Sequence, residues 1–337
     1  MAVSTKKHLP IDCVLAITYN CNSRCVMCDI WKLKNQPELA PTEFLKLPAS
    51  LRDINISGGE PFLRVDLPQI VANLKQAAPR ARMIISSNGF ATDLIIRQMK
   101  AVLAVKPDIG VAISIDGIGE MHNQMRGIPG GFDRAIDTVK KLKGLGMKNL
   151  RLAYTATDMN IEHLSKVYDL SRELGIEFTH SYAQSSEFYF GGKQNVQNPS
   201  AESLQKQYDY LIKQELQTFS LKRWLRAYFT FGMCRFVASK NPVLSHAPGR
   251  DFFFLDPNGD IYPSVVHNIK LGNIKEIVNF EQFWCSDDIE EKRKLVSAKN
   301  IPVWMICTAR SAMRKHPFRV MVWVVRSKVF GFPLSRE

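Results

Sequence analysis

The sequence has no apolar run approaching the ~20 residues that a membrane-spanning helix requires, and its first residues, MAVSTKKHLP, lack the apolar stretch of a secretory leader. It has seven cysteines, an odd number in a chain of 337 residues. Together these features exclude a disulfide-stapled scaffold and lead us to expect reduced thiols in a cytoplasm. No repeat longer than a strand–helix alternation is present, which excludes a solenoid array, and no low-complexity tract interrupts the chain. Gly117-Ile118-Gly119 lacks the third glycine of a dinucleotide-binding turn, which removes a nucleotide-dependent dehydrogenase from consideration. Acidic residues are the scarcer charge, 32 against 45 basic ones, for a net +13. The excess is uneven. From Ala309 onward seven Lys and Arg face a single Glu, so +6 of the +13 lies in the last 29 residues. Elsewhere the basic residues read as a solvated face, and no nucleic-acid partner is expected.

What remains is the composition of a folded protein, 45 % hydrophobic and 23 % charged. Apolar runs at Val14–Thr18, Ile54–Ser57, Met83–Ser86, Gly110–Ile115, Leu150–Thr155 and Glu177–Tyr182 read as strands. Helical patterns separate them. Phe132, Ala135, Ile136, Val139, Leu142 and Leu145 form one apolar stripe at helical spacing, and Thr92 is a candidate N-cap. Repeated strand–helix units imply parallel strands with right-handed crossovers. The expected fold class is α/β, a partial (β/α)6 TIM-like barrel over residues 8–195 with its chemistry at the carboxyl ends of the strands. After Gly191 the polar stretch GGKQNVQNPS marks a boundary near residues 191–220. A helix is expected over Ala201–Thr218, and Asp256–Asp260, DPNGD, reads as a hairpin turn.

The chemistry concentrates in Cys21-Asn22-Ser23-Arg24-Cys25-Val26-Met27-Cys28, just past the first strand. A structural zinc site takes four protein ligands, and no fourth Cys or His stands nearby. A dithiol redox pair, Cys25 and Cys28, leaves Cys21 without a role. An iron–sulfur cube normally takes four cysteines, and three would leave one iron open for another ligand. The polar residues between the thiols argue against three merely buried cysteines.

A CxxxCxxC loop after the first strand of such a barrel resembles the radical S-adenosylmethionine (SAM) superfamily. The resemblance implies that Cys21, Cys25 and Cys28 hold a [4Fe–4S] cluster. It also implies that SAM chelates the open iron and is reductively cleaved to a 5′-deoxyadenosyl radical that abstracts hydrogen. Met27 stands where the family usually has an aromatic residue. Ser57-Gly58-Gly59-Glu60-Pro61 resembles the family's GGEP motif, with Gly58, Gly59 and Glu60 at the amino group of SAM. Ser86-Ser87-Asn88-Gly89 ends the third strand, where Ser87 would contact SAM. Ile113-Ser114-Ile115-Asp116-Gly117, followed by His122 and Arg126-Gly127, resembles a further family pattern. There Ser114 would touch SAM, Arg126 would pair with its carboxylate, Asp116 would cap a turn and His122 would be structural. Asn160 and Gln184 fall near the ends of the fifth and sixth strands, where the family lines its site. No catalytic side chain is assigned.

His246-Ala247-Pro248-Gly249, then Phe254 through Ser264, then Leu271-Gly272-Asn273-Ile274 resemble the SPASM/twitch extension. The expectation is a small α+β SPASM/twitch-like domain over residues 220–316. His246 and Ser264 stand where that extension has cysteine, and of its late CxxCWxxC pattern only Cys307 remains. Serine is a poor iron ligand, so the domain reads as degenerate, with Cys234, Cys285, Cys307 and His246 unconnected and Cys13 in the core. Residues 317–337 form a basic apolar tail, expected as a last helix docked on the barrel, with peripheral contact at the inner membrane face as the alternative. The implied activity is that of a radical SAM enzyme acting on a peptide, protein or lipid-linked substrate. It would draw electrons from a donor such as flavodoxin or ferredoxin. The alternative is a zinc-binding, non-enzymatic scaffold or sensor, and a thiol–disulfide oxidoreductase is a further rival.

Overall fold

The structure is a computed structural model and describes residues 8–195, 199–245 and 247–332. Its first two-thirds alternate strand and helix: β1 (Asp12–Thr18), β2 (Asp53–Gly58), α1 (Leu67–Ala77), β3 (Arg82–Ser87), α2 (Thr92–Val105), β4 (Gly110–Ser114), α3 (Glu120–Arg126), α4 (Gly131–Gly144), β5 (Leu150–Ala156), α5 (Leu164–Glu173) and β6 (Glu177–Tyr182). Two long helices follow, α6 (Ala201–Leu216) and α7 (Leu221–Ser239). The chain then forms β7 (Phe252–Leu255), β8 (Asp260–Tyr262), β9 (Gly272–Asn273), α8 (Phe280–Trp284), α9 (Asp287–Lys299), α10 (Ile306–Lys315) and α11 (Pro317–Val329). All six expected strands are present within two residues of their expected limits.

One sheet carries every strand, in the order β6-β5-β4-β3-β2-β1-β7-β8-β9. Pairing is parallel from β6 through β7 and antiparallel beyond. β1 reads DCVLAIT and is buried along almost its whole length, as a strand covered on both faces must be. β5 and β6 alternate buried and half-buried positions. The apolar stripe expected around Ala135 is the inner face of α4, with Ala135, Val139 and Leu142 buried. Thr92 is not a cap. Ala91 holds the non-helical position before α2, and Thr92 Oγ1 lies 2.7 Å from Thr138 Oγ1, tying α2 to α4.

The strands that follow α7 join the same sheet. β7, FFFL, is wholly buried and pairs in parallel with β1, from Asp12 opposite Phe252 to Leu15 opposite Leu255. Four consecutive buried apolar residues need cover on both faces, and the free edge of β1 offers pairing as well. The DPNGD turn joins β7 to β8 as expected. Asp256 Oδ1 accepts the backbone N–H groups of Asn258 and Asp260 at 2.9 and 2.8 Å. Cys13, Leu15, Phe253, Trp284 and Trp304 belong to one contiguous core. The tail is the docked helix the sequence suggested: α11 buries Val320 and Val324 and packs against α6 and α7.

An ion network at the amino ends of the strands holds α10 in place. Arg310 reaches Asp53 at 2.7 Å and Asp12 at 3.2 Å, and Arg314 and Arg82 reach Asp53 at 2.9 and 2.6 Å. Asp251 accepts Ser311 Oγ at 2.8 Å and pairs with Lys315. Burial pushes the Asp12 carboxyl up to about 7 against the pull of Arg310. Burial also works against the Asp53 charge, but Arg310, Arg82 and Arg314 outweigh it and hold that carboxyl below its usual range.

Two buried histidines stay neutral. His180 lies 5.4 Å, centroid to centroid, from both Tyr208 and Phe229, with Nε2 at 2.9 Å from Thr230 Oγ1. His122 Nδ1 accepts the Asp116 N–H at 3.1 Å. Burial, aided by Arg226 at His180 and by Arg126 at His122, pushes both imidazoles down to about 3.

Two predictions follow from these groups. Arg310→Ala leaves buried Asp12 without its ion-pair partner and removes one of the three arginines on Asp53. Arg310 is 28 % exposed, so the cost falls below that of a fully buried pair, at about 2 kcal/mol in urea denaturation. An unchanged midpoint would show that the network does not anchor α10. Both histidines have folded pKa values below the unfolded 6.5, so their contribution is complete above that pH and is lost as pH falls toward about 3. His122→Asn, which preserves the Nδ1 acceptor, and His180→Gln, which preserves the Nε2 partner, should each flatten the stability–pH slope in that window by about 1.4 kcal/mol per pH unit. Slopes equal to the parent's would mean that the rings protonate without unfolding the chain.

Candidate functional site

The cysteine loop leaves the carboxyl end of β1 and is held from two sides by backbone. On one side Arg24 N donates to the Arg126 carbonyl at 2.9 Å and Val26 N to the Met125 carbonyl at 3.0 Å. Ser23 Oγ donates to the same Arg126 carbonyl at 3.1 Å and lies 3.0 Å from Cys25 Sγ. Gly127, at φ +62°, passes so close that a Cβ there would sit 2.5 Å from the Arg24 carbonyl oxygen. The end of α3 therefore serves as the bed of the loop.

On the other side lies the GGE turn after β2. Gly59 N donates to Thr18 O at 2.7 Å and Glu60 N to Asn20 O at 2.8 Å. A Cβ on Gly58, which has φ +126°, would sit 2.2 Å from Thr18 O, and one on Gly59 2.2 Å from Asn20 O. The two glycines therefore admit the backbone that leads into the cysteine loop.

Glu60 belongs to the same brace. It is fully buried and accepts three hydrogen bonds: Oε2 accepts Asn88 N at 2.7 Å, while Oε1 accepts Ser87 Oγ at 3.0 Å and Phe62 N at 3.2 Å. Burial pushes the carboxyl up to about 7 against these three donors. Glu60 and the Ser87 hydroxyl hold one another in this structure. They lock the end of β3 to the GGE turn, and Asn88 Nδ2 extends the lock to Asn22 Oδ1 in the cysteine loop at 2.7 Å. Ser114 is half-buried at the carboxyl end of β4.

Arg126 is buried beside the loop. Its Nε lies 2.6 Å from Asp116 Oδ2, and its Nη1 is 3.6 Å from Cys25 Sγ. Burial opposes its charge, but Asp116 and the Cys25 sulfur more than offset this and keep the guanidinium cationic. Asp116, expected as a turn cap, is instead this counter-ion, and its Oδ1 accepts Thr155 N at 2.8 Å. Asn160 is also structural. Its Nδ2 donates to the carbonyls of Asp116 and Thr155, both at 3.0 Å, stitching β4 to β5. Gln184 Nε2 is buried without a hydrogen-bond partner among the described residues.

The sulfurs divide between two apolar neighbourhoods. Cys21 and Cys28 pack with Tyr19, Ile30 and Tyr189, and Cys25 packs with Met27 and Met125. Burial pushes the Cys21 and Cys28 thiols up to about 12. Without a bound cation neither would be a thiolate at neutral pH. Among the described residues no group of three or more His, Cys, Asp or Glu is gathered as a single-ion site would require.

The segment after β6 from Tyr189 to Asn195 packs on this loop. Asp29 N donates to the Phe190 carbonyl at 2.8 Å, and Asn195 Nδ2 donates to the carbonyls of Met27 and Gln184 at 3.1 and 2.9 Å. Tyr189 stands 6.3 Å, centroid to centroid, from Tyr19. The glycines of that stretch were legible as a turn, but its partner was not.

The other cysteines lie apart. Cys307 is buried near Asp12 and Cys13, Cys234 contacts Gln205 Oε1 at 3.5 Å, and Cys285 is exposed. Ser264 is buried with its Oγ 2.7 Å from His267 Nδ1, so a hydrogen bond fills the position where a cysteine was expected. His246 lies outside the described residues.

Residues 15–171 match the family model of the Radical SAM superfamily. Over 164 residues the chain is 32 % identical to the Fe-coproporphyrin III synthase of Methanosarcina barkeri, covering 47 % of this chain and 40 % of that protein. Over 180 residues it is 29 % identical to the sporulation killing factor maturation protein SkfB of Bacillus subtilis, covering 51 % and 42 %. The chain thus spans less than half the length of these two relatives. In fold it is similar to Streptococcus suis SuiB bound to S-adenosylmethionine, with TM-score 0.63 and 16 % identity over 85 % of this chain and 68 % of that one. It is also similar to anSMEcpe with bound AdoMet and a peptide, with TM-score 0.60 and 14 % identity over 94 % and 99 %. The cysteine loop, the turns that brace it and the parallel strands that present it all fall in the matched segment, and residues 15–171 of this chain are a radical SAM superfamily domain.

Proposed function

We propose that the chain is a radical SAM enzyme in which Cys21, Cys25 and Cys28 hold a [4Fe–4S] cluster. The observation that carries this reading is the cysteine loop itself. Three thiols sit on one turn, braced by backbone at the carboxyl ends of parallel strands, with one sulfur facing a buried guanidinium. The donor chemistry suits the group. A thiolate-ligated cube is anionic, and Arg126 and Ser23 offer hydrogen-bond donors at Cys25. When bound, the cluster and SAM supply reductive cleavage to a 5′-deoxyadenosyl radical that takes a hydrogen atom from the substrate.

The protein's own residues position and shield. Arg126, charged and held by Asp116, sets a positive field at the loop and stands where a carboxylate would be oriented. Ser114, Gln184 and the backbone of Gly58 and Gly59 are the remaining candidates for SAM contacts. Glu60 and Ser87 contribute by holding the turn. Tyr189 and its loop cover the cysteines and limit access of water and oxygen.

The substrate class we favour is a peptide or protein. SkfB is named as a maturation protein, and SuiB and anSMEcpe are titled with bound peptides. Other relatives are named GTP 3′,8-cyclase and AdoMet-dependent heme synthase, so the family resemblance alone does not select the substrate. A lipid-linked substrate is the second reading, supported by the exposed basic and apolar face of α11. A low-potential donor such as flavodoxin or ferredoxin would supply the electron in the cytoplasm.

Anaerobic reconstitution should give about four irons and four sulfides per chain. Each of Cys21→Ala, Cys25→Ala and Cys28→Ala should abolish this, while Cys234→Ala, Cys285→Ala and Cys307→Ala should leave it unchanged. Stoichiometric zinc with no iron would end the radical reading in favour of the scaffold. On reconstituted protein, Ser114→Ala should weaken SAM binding by about threefold to tenfold, whereas Ser87→Ala should lower stability by about 1 kcal/mol with little change in affinity. The reverse pattern would restore Ser87 as a ligand contact.

A further inference from the structure

Helix α11 has two apolar faces, and only one of them is used. Val320 and Val324 are buried against the body of the protein. On the opposite side Phe318, Val322, Val325 and Val329 recur at i, i+4, i+7 and i+11, which places them in one narrow stripe. They are 81 %, 40 %, 54 % and 67 % exposed. Phe330 and Phe219 extend the patch at 76 % and 95 % exposure, and Lys328 Nζ stands 5.2 Å from the Phe219 ring centroid. By helical spacing Arg319 and Arg326 flank the stripe on one side and Lys328 on the other.

The charge around the stripe is of one sign. Neither α7 nor α11 contains an acidic residue, and together they carry seven Lys and Arg. Those of α7 nearest β6 are neutralised: Lys222 and Arg226 pair with Glu177, and Arg223 pairs with Glu215. Arg235, Arg319 and Arg326 make no ion pair among the described residues. All three line a groove of about 630 Å³ between α7 and α11, together with Tyr228, Phe231 and Trp323.

We propose that this face docks on an anionic phospholipid surface, with α11 lying in the interface plane and its apolar stripe entering the acyl boundary. At 13 residues α11 is too short to span a bilayer. An apolar stripe with arginines along one flank and aromatic side chains beside them is what a helix at that boundary presents, while Lys328 on the other flank is held at the carbonyls of Leu216 and Thr218. The three unpaired guanidinium groups in the adjoining groove complement headgroup phosphates. Charge decides against a second copy of the chain as the occupant, because pairing two such faces would set arginine against arginine with no carboxylate between them. The proposal does not depend on the cluster chemistry.

The test is co-sedimentation of the full chain with vesicles of phosphatidylcholine alone and with phosphatidylglycerol added. The chain should pellet only with the anionic vesicles and be released by high salt. The double variant Arg319→Glu/Arg326→Glu, and separately Phe318→Ser/Val325→Ser, should each reduce partitioning by at least about tenfold while melting at the parent's temperature, because all four side chains are exposed. Three results would overturn the proposal. The chain could stay in the supernatant with anionic vesicles. Both variants could pellet like the parent. In lipid-free solution the chain could form a dimer that Phe318→Ser/Val325→Ser dissolves, which would make a second copy the occupant.

Discussion

The site depends on a short piece of backbone pairing. Arg24 and Val26 of the cysteine loop donate to the carbonyls of Arg126 and Met125 at the end of α3. An irregular loop of eight residues has no ladder of its own, and each buried N–H needs a partner. By borrowing carbonyls from a helix terminus, where they are otherwise unpaired, the loop gains a fixed shape. The same contact places Arg126 beside Cys25. The position of the sulfurs and the charge around them therefore have one structural cause.

The motifs that resemble ligand contacts are in large part braces. Gly58 and Gly59 lie against Thr18 and Asn20, Glu60 holds Ser87 and Asn88, and Asn88 holds Asn22. Buried polar groups of this kind are costly unless fully satisfied, and once satisfied they specify a single arrangement. A radical reaction needs such stiffness, since the reacting atoms must be held in position while water is excluded.

The carboxyl-terminal third completes the body from the far side. β7 occupies the open edge of β1, and Arg310 and Arg314 clamp α10 to the amino ends of β1 and β2. β1 thus carries the cysteine loop at one end and the ion network at the other, and strain at one end is resisted at the other. α11 follows α10 directly, so the clamp also sets the direction in which the exposed stripe of α11 faces.

The six core strands were legible from their residue patterns, a near-continuous apolar run in DCVLAIT and alternation of apolar and polar residues in INIS and LRLAYT. The three cysteines were legible because thiols so close together have few uses. The internal partners of Glu60, Ser87 and Asn160 were not legible, since a carboxylate or amide reads the same whether it faces a ligand or a backbone N–H twenty or more residues away. The partner of β7 was equally hidden: FFFL announces a buried strand but not which edge it will join. The sequence by itself therefore determined the order of the elements and the type of chemistry, which follow from local periodicity and residue identity. The tertiary structure decided which polar groups brace one another, that β7 extends the first sheet, and that α11 keeps one apolar face outside, because those outcomes rest on pairings between residues far apart in the chain.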